Sequence, residues 1–398
     1  MTIFLILLLF IGLAGLAFPY VGYPGALKTL GKYQSSGKNS LSQWPKLSVI
    51  IPVYNGAEFI EAKIADIYDQ NYPGELEIIV ASDASNDGGD QVVRVMQEKH
   101  GDLKLVRLPL RQGKSAAQNM AMKKASGDIL IFTDATVTLG EQALARIVDE
   151  FRDPTVGCVS GEDRSVASDD GDHSAGAGFY SRFEVWLRRL EVERTGTLIG
   201  VSGCLFGVRR FLRPEVPLRA VDDLFIPLHV IARGFRVIIA EGAVANVKRT
   251  VGLKVELHRK IRTFTGALFS YFASVRSEKH SGLRRVRLHL AAHKMMRWFA
   301  PFFALAALIS AVGLANTHWV FTAILTAQIL SYWLGITGIM LAMHYMPQVH
   351  SPSLILKILG RMTRLAAFFV IVLISLSVAW LRWISNKPFV TWAPTQRV

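Results

Sequence analysis

Two aspartates stand out by their setting. Asp83, in Ser82-Asp83-Ala84-Ser85-Asn86-Asp87, and Asp134, in Thr133-Asp134-Ala135-Thr136, each follow a short apolar run. A third such run ends in Tyr54-Asn55-Gly56. One aspartate in this position is most often a helix cap or a turn residue, and Asp87, before Gly88-Gly89, fits that role. Two acids on successive strand ends are better explained by a polar ligand or a divalent cation. Carboxylates suit Mg²⁺ or Mn²⁺ bridging phosphate oxygens. Asp169, Asp170, Asp172 and His173 make a less persuasive group, because the surrounding Gly161–Gly178 is rich in Asp, Ser and Gly and reads as a solvated, mobile loop. No Cys/His zinc spacing, Walker loop or Ser-His-Asp order stands out.

The elements that must position these residues alternate. Leu47–Val53, Leu76–Ala81, Leu103–Leu108 and Ile129–Phe132 read as buried strands. Ala57–Gln70, Gly88–His100 and Ser115–Ala125 between them have helical spacing. This alternation predicts an α/β domain with a doubly wound parallel sheet. Ligands of such sheets bind beyond the carboxyl ends of the strands, so Tyr54, Asp83 and Asp134 are expected to face one cleft.

The chain carries 45 Lys+Arg and 31 Asp+Glu over 398 residues, a net charge of +14. Such a balance first suggests nucleic acid or a membrane surface. The distribution favours the second. Residues 279–398 hold 12 basic residues and no acidic ones, whereas residues 1–278 hold 33 and 31. The basic end is also the most apolar, the pattern of charge flanking membrane spans rather than of a nucleic-acid groove. Residues 1–27 lack any charge, with Lys28, Lys32 and Lys38 following. They read as an anchor whose N-terminus lies outside; a cleaved signal is the rival reading. The uncharged stretch 298–356 fits two spans, near 298–315 and 319–343, with Trp298 and Trp319 at their ends. Leu365–Leu381 makes a third, preceded by a short interfacial helix over Ser353–Arg364. The resulting division is 1–27 anchor, 45–250 α/β domain, 251–297 amphipathic interfacial helices, 298–384 spans and 385–398 tail. Counting spans puts the tail outside, while Arg382, Lys387 and Arg397 pull it inward, so its side stays open. Cys158 and Cys204 cannot make a disulfide framework and fit a reduced, cytosolic setting.

The series Val49-Ile50-Ile51-Pro52-Val53-Tyr54-Asn55, Ser82-Asp83-Ala84-Ser85-Asn86-Asp87, Gly113-Lys114 and Thr133-Asp134-Ala135 resembles, in order and spacing, the membrane-bound family 2 glycosyltransferases of the GT-A fold. The resemblance covers about residues 45–275. It implies an inverting enzyme that moves a sugar from a nucleotide-sugar donor, UDP-linked by preference, to a lipid-linked or glycan acceptor. It places Pro52–Tyr54 in the nucleotide pocket, Asp83 on the base and Lys114 near the diphosphate; a solvent-exposed lysine at a helix start is the plainer reading of the last. Asp134 would belong to the metal-binding Asp-x-Asp element, whose third position here is Thr136, so one carboxylate is lost. Val221-Asp222-Asp223 matches the place of the Thr-Glu-Asp element of processive synthases, which makes Asp223 the general base, with Asp222 the alternative or simply the N-cap of the next helix. Gly203, in Gly200-Val201-Ser202-Gly203-Cys204, would admit a sugar on the acceptor side, and the trailing Arg209 and Arg210 are either part of that pattern or solvated.

Arg259-Lys260-Ile261-Arg262-Thr263 resembles the Gln-x-x-Arg-Trp motif of processive enzymes, but only Arg262 is kept. Arg262 would bind the pyrophosphate, or else lipid phosphates, since Leu253–Val275 reads as an amphipathic interfacial helix. Thr263 cannot stack on a sugar, which favours single addition over polymerisation and extrusion. The resemblance further implies a multi-pass protein of the cell membrane with its catalytic domain in the cytoplasm, in contact with membrane lipids and with other polysaccharide-biosynthesis subunits as candidate partners. A non-catalytic subunit keeping the fold is the remaining alternative, and the joint presence of Asp83, Asp134 and Asp223 argues against it.

Overall fold

The computed structural model describes residues 1–35, 37–40, 43–166, 175–248, 253–277, 282–343 and 354–391. Two helices, α1 (Thr2–Ala17) and α2 (Gly22–Thr29), open the chain. The α/β domain then runs β1 (Leu47–Val53), α3 (Ala57–Tyr68), β2 (Leu76–Ser82), α4 (Gly89–Gln97), β3 (Leu103–Arg107), α5 (Lys114–Met122), β4 (Ile129–Thr133), β5 (Val137–Leu139), α6 (Ala143–Glu150), β6 (Val156–Val166), α7 (Ala175–Thr195), β7 (Leu205–Arg209), α8 (Asp222–Ala232) and β8 (Arg236–Lys248).

These strands form one sheet in the order β3-β2-β1-β4-β7-β6-β8-β5. The alternating half, β3-β2-β1-β4, is parallel, as its sequence pattern predicts. The sheet then changes character: β7 runs antiparallel to β4, and β6 antiparallel to β7. Every residue of β1 is buried, because both faces are covered. Ile60, Ile64 and Ile67 of α3 pack on one face and Ala117 and Ala121 of α5 on the other. The reading of Gly161–Gly178 as a loop is corrected at its start, where Gly161–Val166 continues β6 beside β8. Asp169, Asp170, Asp172 and His173 lie outside the described residues.

At the edge of the sheet opposite its carboxyl end, Glu77 is 4 % exposed and ties four segments together. It accepts from the backbone N–H of Ser126 at 2.6 Å and of Gly127 at 3.2 Å, from Lys104 Nζ at 2.5 Å and from the Ser48 hydroxyl. Burial alone would raise its pKa, but Lys104 and the hydroxyl and amide donors outweigh it and hold the carboxyl at about 2.

After the α/β domain come α9 (Leu253–Ser277), α10 (Gly282–His289), a π-helical turn over Leu290–Met295, α11 (Met296–Trp298), α12 (Ala300–Leu314), α13 (Trp319–Met343) and α14 (Leu354–Ile384). Trp319–Leu341 and Met362–Ile384 are each long and apolar enough to cross a membrane. Thr2–Ala17 with Gly22–Thr29, bent by 67°, and Val286–Trp298 with Ala300–Leu314, bent by 62°, qualify as broken spans, which makes two to four. Small residues let these helices approach closely. A Cβ at Gly12 would lie 2.8 Å from the backbone of Ala307 and Phe303, and one at Gly338 2.7 Å from the Thr363 carbonyl.

Three expectations change here. Ser353–Arg364 is not a separate interfacial helix, because from Leu354 onward it is continuous with the apolar run in α14. Trp298 does not sit at an interface: it is 4 % exposed, and its carbonyl accepts from Trp380 Nε1 at 2.8 Å. The apolar stripe of α9 is largely covered by protein, with Leu268 fully buried and Phe272 stacked on Trp383 at 4.3 Å.

The segment after α14 lies on the α/β domain. Arg219 donates to Asn386 Oδ1 at 2.8 Å, and the Arg382 guanidinium stacks on Phe389 at 3.9 Å. Beyond them Val390 crosses Gly113 so tightly that a Cβ there would overlap the Val390 carbonyl. The question of the tail's side is thereby answered for residues 386–391: they share the side of the α/β domain.

Glu77→Ala leaves its buried donors unanswered and should cost about 3 kcal/mol, read as a lowered thermal midpoint. Because the folded pKa is depressed, Glu77 stabilises the fold above the ordinary glutamate range, and that contribution is lost as pH falls from about 4.5 through about 2; Glu77→Gln should flatten that part of the stability profile. Gly113→Ala meets both a φ of +97° and the Val390 carbonyl. It should release residues 386–391, seen as faster amide exchange there with unchanged exchange in β1 and β2.

Candidate active site

The parallel register sets the cleft. Val53 pairs with Ser82, so the chains leave β1 and β2 side by side, and Asp83 N–H donates to the Val53 carbonyl at 2.9 Å. Ile50 pairs with Phe132, which carries Asp134 to the level of Pro52. The two loops are stitched together: Asn86 N–H donates to Asn55 Oδ1 at 2.9 Å, and Ala57 N–H to Asp87 Oδ2 at 2.8 Å. Asp87 has the turn role expected of it, accepting from Gly89 N–H at 3.1 Å, while its other oxygen takes the first N–H of α3.

A cavity of about 380 Å³ opens at these strand ends. Pro52, Tyr54, Lys114, Asp134, Thr136, Gly203, Asp222, Asp223 and Arg262 all line it, although they come from β1, α5, the segment after β4, the approach to β7, α8 and α9. Arg259, Arg262, Thr263 and Gly266 share one face of α9 by their spacing of three, four and seven. Arg259 is clamped by both oxygens of Glu256 at 2.8 Å.

Asp83 is the exception. It is fully buried beside the cavity, and its carboxylate accepts from Gln112 N–H at 2.7 Å and Gly113 N–H at 2.9 Å. It therefore shapes the loop that leads into α5. The Tyr54 ring carries the Arg111 guanidinium at 3.7 Å, a cation–π contact that braces the same loop.

Lys114 is not a solvated helix-start lysine. Its Nζ lies 3.1 Å from Asp134 Oδ1, 3.4 Å from Asp222 Oδ2 and 3.3 Å from the Gly203 carbonyl. Burial alone would lower its pKa, but the carboxylates of Asp134 and Asp222 reverse this and raise it, so the ammonium stays charged.

The two acids of α8 differ. Val221 holds the N-cap position, so Asp222 and Asp223 both stand in the first turn, which corrects the reading of Asp222 as the cap. Asp222 is 5 % exposed and accepts from Gln118 Nε2 at 2.7 Å as well as meeting Lys114. Asp223 points towards Gly203, where a Cβ would fall 3.3 Å from its Oδ2. Burial and the neighbouring Asp222 carboxylate push the Asp223 pKa up to about 6, against the pull of Lys114, Lys294 and Arg188. Arg209 is neither solvated nor in the cavity: it donates to the carbonyls of Val156, Phe151 and Asp153.

Among the described residues no group of three or more His, Cys, Asp or Glu is placed so that it could hold a metal ion. A closed protein cage for a cation is therefore absent there. The donor set of Asp134 with Thr136 nearby still fits Mg²⁺ or Mn²⁺ bridging a diphosphate, because such ions keep several waters and need only one or two carboxylates.

Sequence reasoning missed three contributors to this cavity: Asp163 on β6, Arg188 on α7 and Phe389–Thr391 of the tail. Only Arg188 left a trace, since its spacing of four and three places it on one helix face with Glu184 and Glu191. Those glutamates belong to a buried network. Tyr23 donates to Glu191 at 2.6 Å, His293 Nδ1 lies 2.7 Å from the same oxygen, and Arg297 pairs with Glu184.

The family model "Glycosyl transferase family 2" matches residues 48–215. An N-acetylglucosaminyltransferase of Rhizobium leguminosarum bv. trifolii is 31% identical over 151 residues, 37% of this chain and 81% of that one. An N-acetylglucosaminyltransferase of Rhizobium meliloti is 34% identical over 130 residues, 32% of this chain and 30% of that one. The poly-beta-1,6-N-acetyl-D-glucosamine synthase of Staphylococcus epidermidis is 28% identical over 128 residues, 32% of this chain and 31% of the synthase. The matched segment thus spans about a third of the length of several curated relatives. The structure of a mannosyltransferase from Pyrobaculum calidifontis in complex with GDP-Man and Mn2+ superposes with a TM-score of 0.69 at 25% identity, over 96% of this chain and 99% of that one. With its matching motifs, its mixed sheet and these relatives, the chain belongs to glycosyl transferase family 2 and is a glycosyltransferase.

Proposed function

We propose that this glycosyltransferase inverts the anomeric centre of a nucleotide-sugar donor and delivers the sugar to one hydroxyl of a lipid-linked or glycan acceptor at a membrane surface. The observation that carries the reading is Asp223. Its carboxyl faces the cavity opposite Gly203, with a pKa of about 6, while Lys114 gathers Asp134 and Asp222 beside it. A carboxylate with that pKa is deprotonated at neutral pH and still basic enough to take a proton.

In this reading the acceptor oxygen loses its proton to Asp223 as it attacks the anomeric carbon from the face opposite the leaving group. The bond from that carbon to the phosphate oxygen breaks, and the diphosphate leaves with the electron pair. A divalent cation held by Asp134, with Thr136 supporting a bound water, would supply charge neutralisation on that diphosphate. Lys114 keeps Asp134 and Asp222 from repelling one another and stays within reach of the phosphates. Asp222 is held away from the acceptor by Gln118 and Lys114, which leaves Asp223 as the base. Tyr54 and Pro52 form the wall of the nucleotide end, Asp83 fixes its loop, and Arg262 offers a cation from α9.

Three finer choices complete the reading. A UDP-linked donor is favoured by the resemblance, and an N-acetylglucosaminyl unit by the relatives named for its transfer; the GDP-Man of the Pyrobaculum structure supports a GDP-linked donor as the second reading. Single addition is favoured over polymerisation because Thr263, not an aromatic ring, faces the cavity from α9. A multi-pass membrane protein with its catalytic domain in the cytoplasm is favoured by the basic, acid-free end of the chain.

Asp223→Asn should reduce transfer by about a thousandfold or more while nucleotide binding persists; lost nucleotide binding would give Asp223 a structural role instead. In the unaltered enzyme kcat should rise as pH passes upward through about 6, because only the deprotonated carboxylate accepts a proton. Asp134→Asn should abolish stimulation by Mg²⁺ or Mn²⁺. Mass spectrometry of lipid extracts after incubation with a panel of sugar nucleotides separates one added sugar from a product ladder.

A further inference from the structure

Most cations around the cavity already have an anion. Lys114 has Asp134 and Asp222, Arg259 has Glu256, and Arg297 has Glu184. Arg188 and Lys294 differ. Neither side chain has a hydrogen-bonding or ion-pair partner among the described residues, yet both act on the Asp223 carboxylate. Arg188 lines the cavity from α7. Lys294 arrives from the other side, and its Cε lies 3.9 Å from where a Cβ on Gly200 would be, a point that is itself 3.6 Å from the Asp223 carbonyl. Gly200 and Gly203 carry no side chains to fill the space between these cations and Asp223.

The charged neighbours of Lys294 are Glu184, Arg188, Arg297 and Glu191. The glutamates are committed elsewhere, Glu184 to Arg297 and His293, Glu191 to Tyr23 and His293. Two cations thus stand near one another with Asp223 as their nearest unclaimed anion, an arrangement that favours a further anion between them. Lys294 sits on the π-helical turn, a local widening that re-aims a side chain and recurs at functional sites. That turn belongs to the bent apolar pair Val286–Trp298 and Ala300–Leu314, so Lys294 reaches Gly200 from the apolar helices.

We propose that Arg188 and Lys294 form a phosphate-binding site on the acceptor side of Asp223, which takes the phosphate group of a lipid acceptor. This rests on the assignment of Asp223 to the acceptor side. The site selects acceptors with a phosphate near the hydroxyl that receives the sugar, and it holds that phosphate by charge from α7 and from the membrane-associated turn. His293 is a positioning residue here: clamped between Glu184 and Glu191, it fixes the turn that carries Lys294.

The test is a titration of the full-length, detergent-solubilised protein with farnesyl monophosphate, farnesol and inorganic phosphate, without donor. Farnesyl monophosphate should bind at least about tenfold more tightly than farnesol, and R188Q or K294Q should each erase about tenfold of that preference, the size expected of one charge-assisted hydrogen bond. K294R should retain it, which separates loss of charge from loss of fold. Equal binding of farnesol and its phosphate, or a preference that survives both glutamine variants, would overturn the site. Inorganic phosphate binding as tightly as farnesyl monophosphate would overturn the lipid source. Because no turnover is involved, the outcome is independent of the base: transfer retained by Asp223→Asn would sink the general-base reading and leave this site standing.

Discussion

One ammonium group holds the two halves of the cleft together. Lys114, at the first position of α5, reaches Asp134 beyond β4 and Asp222 at the start of α8, residues 88 positions apart in the chain. Three carboxylates, Asp134, Asp222 and Asp223, could not otherwise share this space in ionised form at acceptable cost. Lys114 relieves the repulsion between two of them, while burial and then the neighbouring Asp222 carboxylate push the third, Asp223, up to about 6. The arrangement separates the three: Asp134 is ion-paired with Lys114 at the cavity wall, Asp222 is engaged by Gln118 and Lys114, and Asp223 faces Gly203. The parallel register and the buried Asp83, which shapes the loop before α5, both serve to bring Lys114 to this point.

The second organising interaction is the polar network of Tyr23, Glu184, Glu191, His293 and Arg297. It draws on α2, α7 and the helices that follow α10, so one buried cluster links the opening helices, the α/β domain and the apolar end of the chain. Directional contacts buried in low dielectric favour one arrangement of the elements they join. The membrane-associated helices are thus fixed against the catalytic domain by directional contacts, which apolar packing alone would not provide.

Much of the parallel half of the sheet was legible because buried strands and amphipathic helices alternate with short connections, as in Leu47–Val53 and Ala57–Tyr68. The lining residues near strand ends were legible for the same reason. Residues that reach the cavity from afar were not. Nothing in the local pattern of Phe389–Thr391 connects it with Gly113, 277 residues earlier. Arg188 is one of several arginines on α7, and only the fold shows which of them turns inward. The break placed before Leu365 had its source in Lys357, Arg361 and Arg364, whose charges resemble a span boundary although α14 runs through them. The antiparallel strands β6 and β7 are equally opaque, since their partners are set by tertiary packing.

The crossing of Val390 over Gly113 has a practical consequence for anyone handling the molecule. An affinity handle, a fluorescent protein or a fusion partner joined directly after Thr391 would start at the rim of the cleft. Such an attachment would load the short tether that Arg219, Asn386, Arg382 and Phe389 hold in place. Appendages are better placed on a surface remote from it, such as the turn between α4 and β3, whose Gly101 has open space around it.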